Sequence, residues 1–398
     1  MTNRSGSEPS WASPAGACQV IPYIEGDGVG HDIWPAAQLV FDAALHKHGK
    51  QVTWLPLVAG EQAFRKTGHW LPDETLQAFS RHLVGIKGPL ATPVAMGERS
   101  VNVSLRRLLD LYVCLRPVRW IPGVPSPVTH PEAVDMVIFR ENTEDVYAGF
   151  ELQAGSREAR SLIVEMRTRF AWDIRADSGI GIKPVSEFAS KRLMRAAIEY
   201  ALRHRRRSVT MVHKGNIQKY TEGAFRDWGY DVVREEYADF AVAASDCGGD
   251  AGDKLLVKDR IADNMLQQIL SDPADFDVVA TTNLNGDYLS DALAAQVGGL
   301  GIAAGANINF ETGRAIFEAV HGTAPDLEGE DLANPSSLLL SGVMMFQHVG
   351  WHKVAHDIAS ALEATIRDRV VTSDLGRLMP DATQVSCSTF GREVADRL

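Results

Sequence analysis

Two aspartates four residues apart, Asp287 and Asp291, lie in the run NLNGDYLSDALAAQVGG (283–299). A helix turns once in about 3.6 residues, so positions i and i+4 share a face. Two carboxylates on one face repel each other, and a divalent cation between them removes the repulsion. Hard oxygen donors of this kind suit Mg²⁺ or Mn²⁺. The plain alternative is a solvated acidic face. Against it, the pair is surrounded by Gly, Tyr, Ser and small apolar residues, with no alternating Lys or Glu. A third acid, Asp263, has a similar setting in KDRIADNMLQQIL (258–270).

Other groups carry complementary chemistry. KGPLATPVAMGERSVNVSLRRLLDLYVCLRPVR (87–119) scatters Arg99, Arg106, Arg107, Arg116 and Arg119 among apolar and small residues. Guanidiniums near or below a surface need anions, and their planar fork matches carboxylates in a bidentate fashion. Singly each could be a structural ion pair; together they suggest a polycarboxylate pocket. Ser100 and Asn102 offer hydrogen bonds beside them, and FRENTEDVYAG (139–149) adds Arg140 and Tyr147. In VHKGNIQKYTEG (212–223), Lys214 directly follows an expected strand, a good place for a group serving the carboxyl edge of a sheet. In FEAVHGTAPDLEGEDLANP (317–335), small residues allow close backbone approach to a flat ligand, and Asp326 could accept hydrogen bonds from a ribose diol. The glycines of IEGDGVGHD (24–32) are spaced G-x-G-x-G, not G-x-G-x-x-G, and read first as a tight strand-to-helix turn.

The elements that must position these groups alternate. Strands are expected at 19–24, 51–57, 82–88, 135–139, 208–213 and 276–281, and amphipathic helices at 32–49 and 186–204. Such alternation predicts an α/β sheet covered by helices. Residues 145–186 lack a clean period and read as an inserted arm, and DCGGDAGDK (246–254) reads as a flexible turn. The basic run RHRRR (203–207) reads as a solvated helix end. With 398 residues, 45% of them hydrophobic, the chain can bury a sizeable core. A net charge of −11 argues against nucleic-acid or anionic-membrane partners. Four scattered cysteines (18, 114, 247, 387) indicate neither a zinc site nor a disulfide framework. Residues 1–18 read as a loose tail without the apolar core of a signal peptide. No apolar run reaches about 18 residues, so no membrane span is expected and a cytoplasmic protein is.

The motifs IEGDGVG, KGPLATPV, RSVNVSLR, LRPVR, FRENTEDVYAG, VHKGN, NLNGDYLSDALAAQVGG and HGTAP, in this order, closely resemble the homodimeric prokaryotic-type isocitrate dehydrogenases. These belong, with the isopropylmalate and homoisocitrate enzymes, to the metal-dependent β-decarboxylating dehydrogenases. The resemblance runs from about residue 19 to the C-terminus. It implies large and small α/β domains sharing a continuous sheet: 19–111 with 298–398, and 112–144 with 187–297. Residues 145–186 would then clasp a dimer. It also implies that Arg106, Arg116 and Arg140 clamp the carboxylates of a tricarboxylate substrate, while Ser100 and Asn102 hold its γ-carboxylate. Asp263, Asp287 and Asp291 would bind Mg²⁺ or Mn²⁺, and Tyr147 and Lys214 would handle protons. In the family Lys214 and Asp263 reach the site from the partner subunit.

The implied reaction is oxidative decarboxylation of isocitrate to 2-oxoglutarate with hydride transfer to a nicotinamide cofactor. Thr92 would meet the nicotinamide end; His321, Gly322, Ala324 and Asn334 would meet the adenosine. NADP-using relatives carry Lys-Tyr where this chain has Asp326-Leu327, a Tyr at Ser373 and a partner-subunit Arg at Asp272; of that phosphate-binding set only Arg377 remains. NAD is therefore the expected cofactor. Two other readings are the same chemistry on an isocitrate analogue, such as a phosphonomethylmalate, and a non-catalytic regulatory subunit. The second is disfavoured because Tyr147, Lys214 and all three aspartates are present.

Overall fold

Runs of four to seven residues rich in Val and Ile are too short for stable helices and form strands when both faces can be covered. A computed structural model describes residues 19–92 and 100–398. The expected tail (1–18), Cys18 and Arg99 lie outside the described residues. Every strand expected from the sequence is present: Gln19–Ile24, Val52–Leu57, Val84–Lys87, Asp135–Glu141, Ser208–His213 and Val278–Thr281. Five further strands join them in one eleven-stranded sheet. From one edge the order is Val52–Leu57, Gln19–Ile24, Val84–Lys87, Ala315–Ala319, Ala304–Ile308 and Val113–Arg119. It continues through Asp135–Glu141, Val278–Thr281, Ser208–His213 and Leu255–Ile261 to Ala241–Ala243.

Pairing is parallel in both wings and antiparallel where Ala315–Ala319, Ala304–Ile308, Val113–Arg119 and Asp135–Glu141 meet. In the second wing the register sets Arg140 beside Thr281, Thr281 beside Val212, and Ile261 beside His213. Four parallel strands thus end side by side, and each runs straight into a segment bearing candidate site residues. The carboxyl edge of a parallel sheet is where such folds bind ligands.

Helices cover both wings. The helix Gly30–Lys47 buries Ile33, Trp34, Ala37, Val40, Phe41 and Ala44, the spacing of a single apolar face. It packs on Ser336–His348, where a Cβ on Gly342 would lie 2.2 Å from the Phe41 ring, so only glycine permits the crossing. On the other wing Glu187–Arg203 is capped by Ser186, whose hydroxyl accepts from the Ala189 N–H. The expected glycine turn holds: Gly26 and Gly28 have φ of 99° and 56°. Between them the buried Asp27 carboxylate accepts from the N–H groups of Glu61 and Ala91 at 3.1 and 2.8 Å, tying three segments together.

Two expectations need correction. The arm is not irregular: it holds the helix Arg157–Phe170 and an antiparallel pair, Phe150–Leu152 with Ile180–Ile182. Only Ala159 and Ile163 of that helix are buried, so no apolar stripe marks it. The basic run does end a helix, at Arg203, but it is not simply solvated. Arg206 bonds the buried Asp277 at 2.8 Å, and the Arg207 N–H bonds the same carboxylate. Of the expected turn, Asp246 and Cys247 close the short helix Ala244–Cys247, and 248–254 turn, with Gly248, Gly249 and Gly252 at positive φ. Among the described residues no helix is long and apolar enough to cross a membrane.

Candidate active site

The acidic helix Asn283–Gln296 leaves the strand Val278–Thr281 and lies directly over Arg140. A Cβ on Gly286 would come within 2.6 Å of the Arg140 side chain, so this glycine lets the helix rest on the arginine stem. Arg140 is 1% exposed. Its Nε donates to Asn283 Oδ1 at 2.8 Å, and its Nη1 pairs with Asp287. Arg116, on the antiparallel neighbour strand, donates to Ser290 Oγ at 2.7 Å and to Asp291 Oδ1 at 2.9 Å. The Tyr147 hydroxyl, on the turn Asp145–Ala148, donates to Asp287 Oδ2, and its ring lies 4.9 Å from the Arg140 guanidinium. Five predicted site residues on four segments therefore meet at one helix face.

The electrostatics follow from burial and these pairings. Burial, then the hydrogen bond to Asp287, pushes the Tyr147 phenol up to about 12. Burial alone would raise the Asp287 carboxyl, but Arg140, Tyr147 and Arg116 outweigh it and hold it below the usual carboxylate range. Arg140 is lowered, first by burial and then by crowding from Arg116 and Arg106, although Asp287 opposes the shift. The two shifts differ because the pair's attraction acts on both partners alike, while the almost fully buried Arg140 loses far more hydration than Asp287, whose side chain is 32% exposed.

Arg106 is in the last turn of Val101–Leu108. Its Nη2 donates to Glu318 Oε1 at 2.9 Å, and Lys87 Nζ meets the other oxygen at 2.9 Å. Among the described residues Nε of Arg106, Nε of Arg116 and Oδ1 of Asn102 are buried without a partner. The two arginine Nε–H groups are donors that a bound carboxylate could engage. Ser100 precedes this helix, and its hydroxyl accepts from Thr92 Oγ1 at 3.1 Å. Glu318 and Lys87 were not singled out from the sequence. The signal was there: an acid inside the apolar strand AIFEA (315–319) requires a buried cation.

Lys214 follows the strand Ser208–His213 as expected, but its amine bonds Asp263 Oδ1 at 2.5 Å, away from the acidic helix. That pairing lowers the Asp263 carboxyl. Among the described residues no three His, Cys, Asp or Glu side chains of one chain form a metal-binding group. One chain thus offers a pair of carboxylates, Asp287 and Asp291, whose side chains are 32% and 50% exposed. The donor set is oxygen only and reachable from solvent, which fits Mg²⁺ or Mn²⁺ once a third acid is supplied.

The loop after Ala315–Ala319 carries the remaining candidates. His321 Nδ1 bonds the Gly322 carbonyl at 2.9 Å and so carries the proton; Nε2 is buried with no partner among the described residues. Burial lowers its basicity, which keeps the ring neutral with a free acceptor nitrogen. Ala324 takes a left-handed φ of 41°, turning the chain into Pro325–Leu327. Asp326 and Leu327 are exposed. Asn334 is fixed at both ends, donating to Asp374 at 3.0 Å and accepting from the Ser336 N–H at 2.9 Å. An orphaned ring nitrogen, small residues and a clamped carboxamide fit a flat nucleotide.

Comparison with known proteins finds relatives along nearly the whole chain. The family model described as isocitrate/isopropylmalate dehydrogenase matches residues 20–394. A Staphylococcus epidermidis protein named NADP isocitrate dehydrogenase is 53% identical over 398 residues, covering 94% of each chain. One of the same name from Streptococcus mutans is 57% identical over 368 residues, covering 90% of each. The crystal structure of isocitrate dehydrogenase from Methylococcus capsulatus superposes with a TM-score of 0.81 at 37% identity, covering 95% of this chain and 99% of that one.

Proposed function

The chain belongs to the isocitrate/isopropylmalate dehydrogenase family, and from that premise we propose that it oxidises and decarboxylates isocitrate to 2-oxoglutarate with NAD as hydride acceptor. The observation that carries the reading is the meeting of Asp287 and Asp291 with Arg116, Arg140 and Tyr147 on one helix face. It joins an anion clamp, a cation site and a protonated phenol.

Arg106, Arg116 and Arg140 bind the substrate carboxylates, and the spare Nε donors of the first two are free to bond them. Ser100 and Asn102 take the distal carboxylate, the group that separates isocitrate from isopropylmalate. Asp287 and Asp291, with Asp263 of the partner subunit, would hold Mg²⁺ or Mn²⁺, which when bound polarises the substrate's 2-hydroxyl and the oxo group derived from it. NAD, held by Thr92, His321, Gly322 and Ala324 with Asp326, Leu327 and Asn334, supplies the hydride acceptor. Lys214 of the partner subunit takes the hydroxyl proton. Tyr147 gives its proton to the enol carbon after CO₂ has left, and a phenol raised to about 12 stays protonated at neutral pH.

A shared site requires a dimer, and uncovered apolar side chains support one. Tyr288 (61% exposed) sits beside Asp287, Leu270 (60%) shares a helix with Asp263, and Ile217 and Tyr220 (69% and 92%) follow Lys214. A second copy would cover them while delivering Lys214 and Asp263. On this reading 145–186 clasps the dimer, 19–111 with 298–398 carries the cofactor, and 112–144 with 187–297 carries the substrate.

The relatives' names specify NADP, whereas Asp326 would accept from a free ribose diol and repel a 2′-phosphate, so NAD is proposed for this chain. Initial rates with isocitrate, homoisocitrate and isopropylmalate, Mg²⁺ and either cofactor test the whole reading. Isocitrate with NAD is expected to lead, and chelation to stop turnover. Preference for isopropylmalate, or full activity in excess chelator, refutes it.

A further inference from the structure

Two buried carboxylates beside the site take no part in the chemistry above. Glu222 is 0% exposed and Asp145 1%. Glu222 opens the helix Glu222–Glu236. Its Oε2 accepts from the Lys214 backbone N–H at 2.9 Å and from Asn285 Nδ2 at 2.8 Å. Its Oε1 accepts from Thr282 Oγ1 at 2.8 Å and from the Lys183 ammonium. Asp145 accepts from the Leu284 N–H at 2.9 Å and the Val146 N–H at 2.7 Å. Leu284 is in the first turn of the acidic helix, where Thr282 makes no side-chain cap of its own. Asp145 therefore caps that helix from a different segment, and it holds a left-handed φ of 69° to do so. Lys183 Nζ lies 3.4 Å from Asp145 Oδ1 while also bonding Glu222.

We propose that Lys183 is a positioning residue: its ammonium, carried at the base of the arm, bridges the buried carboxylates of Glu222 and Asp145 and so holds together the Lys214 backbone, the start of the acidic helix and the turn bearing Tyr147. Each carboxylate anchors a different piece of the site. Two uncompensated acids at this depth would repel, and each would lose part of its hold on the backbone N–H it caps. The arm is the natural carrier, because Pro184 also accepts the Asp145 N–H at 3.0 Å. A residue outside the reacting set thereby couples the arm to the geometry of catalysis.

The catalytic half of this inference rests on the proposed function; the structural half does not, and the test separates them. Lys183→Met, Lys183→Arg and wild type are compared in the full chain by amide hydrogen exchange and by steady-state kinetics. In Lys183→Met, exchange should quicken at least about tenfold in 145–148, 212–216 and 283–287 while Gln19–Ile24 is unchanged. Turnover should fall at least about tenfold with the isocitrate KM nearly constant, since misplacement of reacting groups costs rate more than binding. Lys183→Arg should restore part of both. Exchange that is unaltered at those segments, or faster throughout the chain, overturns the inference. So does full turnover alongside selectively faster exchange. If wild type fails to oxidise isocitrate, the functional reading falls, and the exchange pattern alone decides whether Lys183 holds the three segments.

Discussion

Asp326→Lys decides which nicotinamide cofactor the chain was built for. Asp326 is exposed, and among the described residues its carboxylate has no hydrogen-bond or ion-pair partner, so it is free to meet a ligand. Two unit charges about 4 Å apart interact by about 1 kcal/mol in a water-like medium and about 4 kcal/mol at an effective dielectric near 20. The exposure places this residue at the lower end, and salt screens it further. Against a 2′-phosphate carrying nearly two charges, the penalty is then about 2 kcal/mol, roughly thirtyfold in favour of NAD. Replacing the acid by an ammonium reverses the sign, so the whole swing approaches about 4 kcal/mol, or nearly three decades. The assay is kcat/KM for NAD and NADP on both proteins, at low and high ionic strength. Wild type should prefer NAD by at least about tenfold, the Asp326→Lys variant should bring NADP level or ahead, and added salt should narrow both gaps. A wild-type preference for NADP, as the names of the relatives specify for those proteins, refutes the reasoning. An unchanged ratio in the variant would remove Asp326 from the explanation.

Asp287→Asn keeps an acceptor for Arg140 but removes its counter-charge, so thermal stability should fall by about 1–3 kcal/mol while circular dichroism shows the fold retained. Metal-dependent turnover should fall at least about a thousandfold, and retained activity would contradict the cation role. Mixing Lys214→Met with Tyr147→Phe chains tests the shared site. If Lys214 serves its partner, hybrid dimers keep one intact site and random mixing recovers roughly a quarter of wild-type activity; if it serves its own chain, none returns. Glu318 is buried against Lys87 and Arg106, and although burial opposes, the two cations depress its carboxyl. A depressed folded value contributes stability that is complete above the unfolded value of about 4.3 and fades as pH falls toward the folded one. The stability gap between wild type and Glu318→Gln should therefore narrow below about pH 4; a constant gap would mean the pair is not electrostatic.

What the sequence disclosed and what it hid divide along burial. SVTMVH and DMVIF are strands buried on both faces, and their branched apolar residues say so. VCLRPVR, LLVKDRI and AGANI are strands as well, yet the first two carry charge and the third is Ala, Gly and Asn before its closing Ile, so no strand pattern marks them. The charges that mask those strands are there for the site and its surroundings: Arg116 faces Asp291, and Asp259 receives His213 and Tyr230. The acidic pair was legible for the opposite reason. Asp287 and Asp291 need only helical spacing to share a face, and spacing is written in the chain. Lys214 and Asp263 are harder, because residue type does not say which copy a side chain serves. In one chain they satisfy each other at 2.5 Å, at the surface and outside the arginine cluster. On the proposed shared site the Lys214 ammonium would face a substrate hydroxyl and the Asp263 carboxylate a cation, so a second copy would exchange this pairing for those contacts.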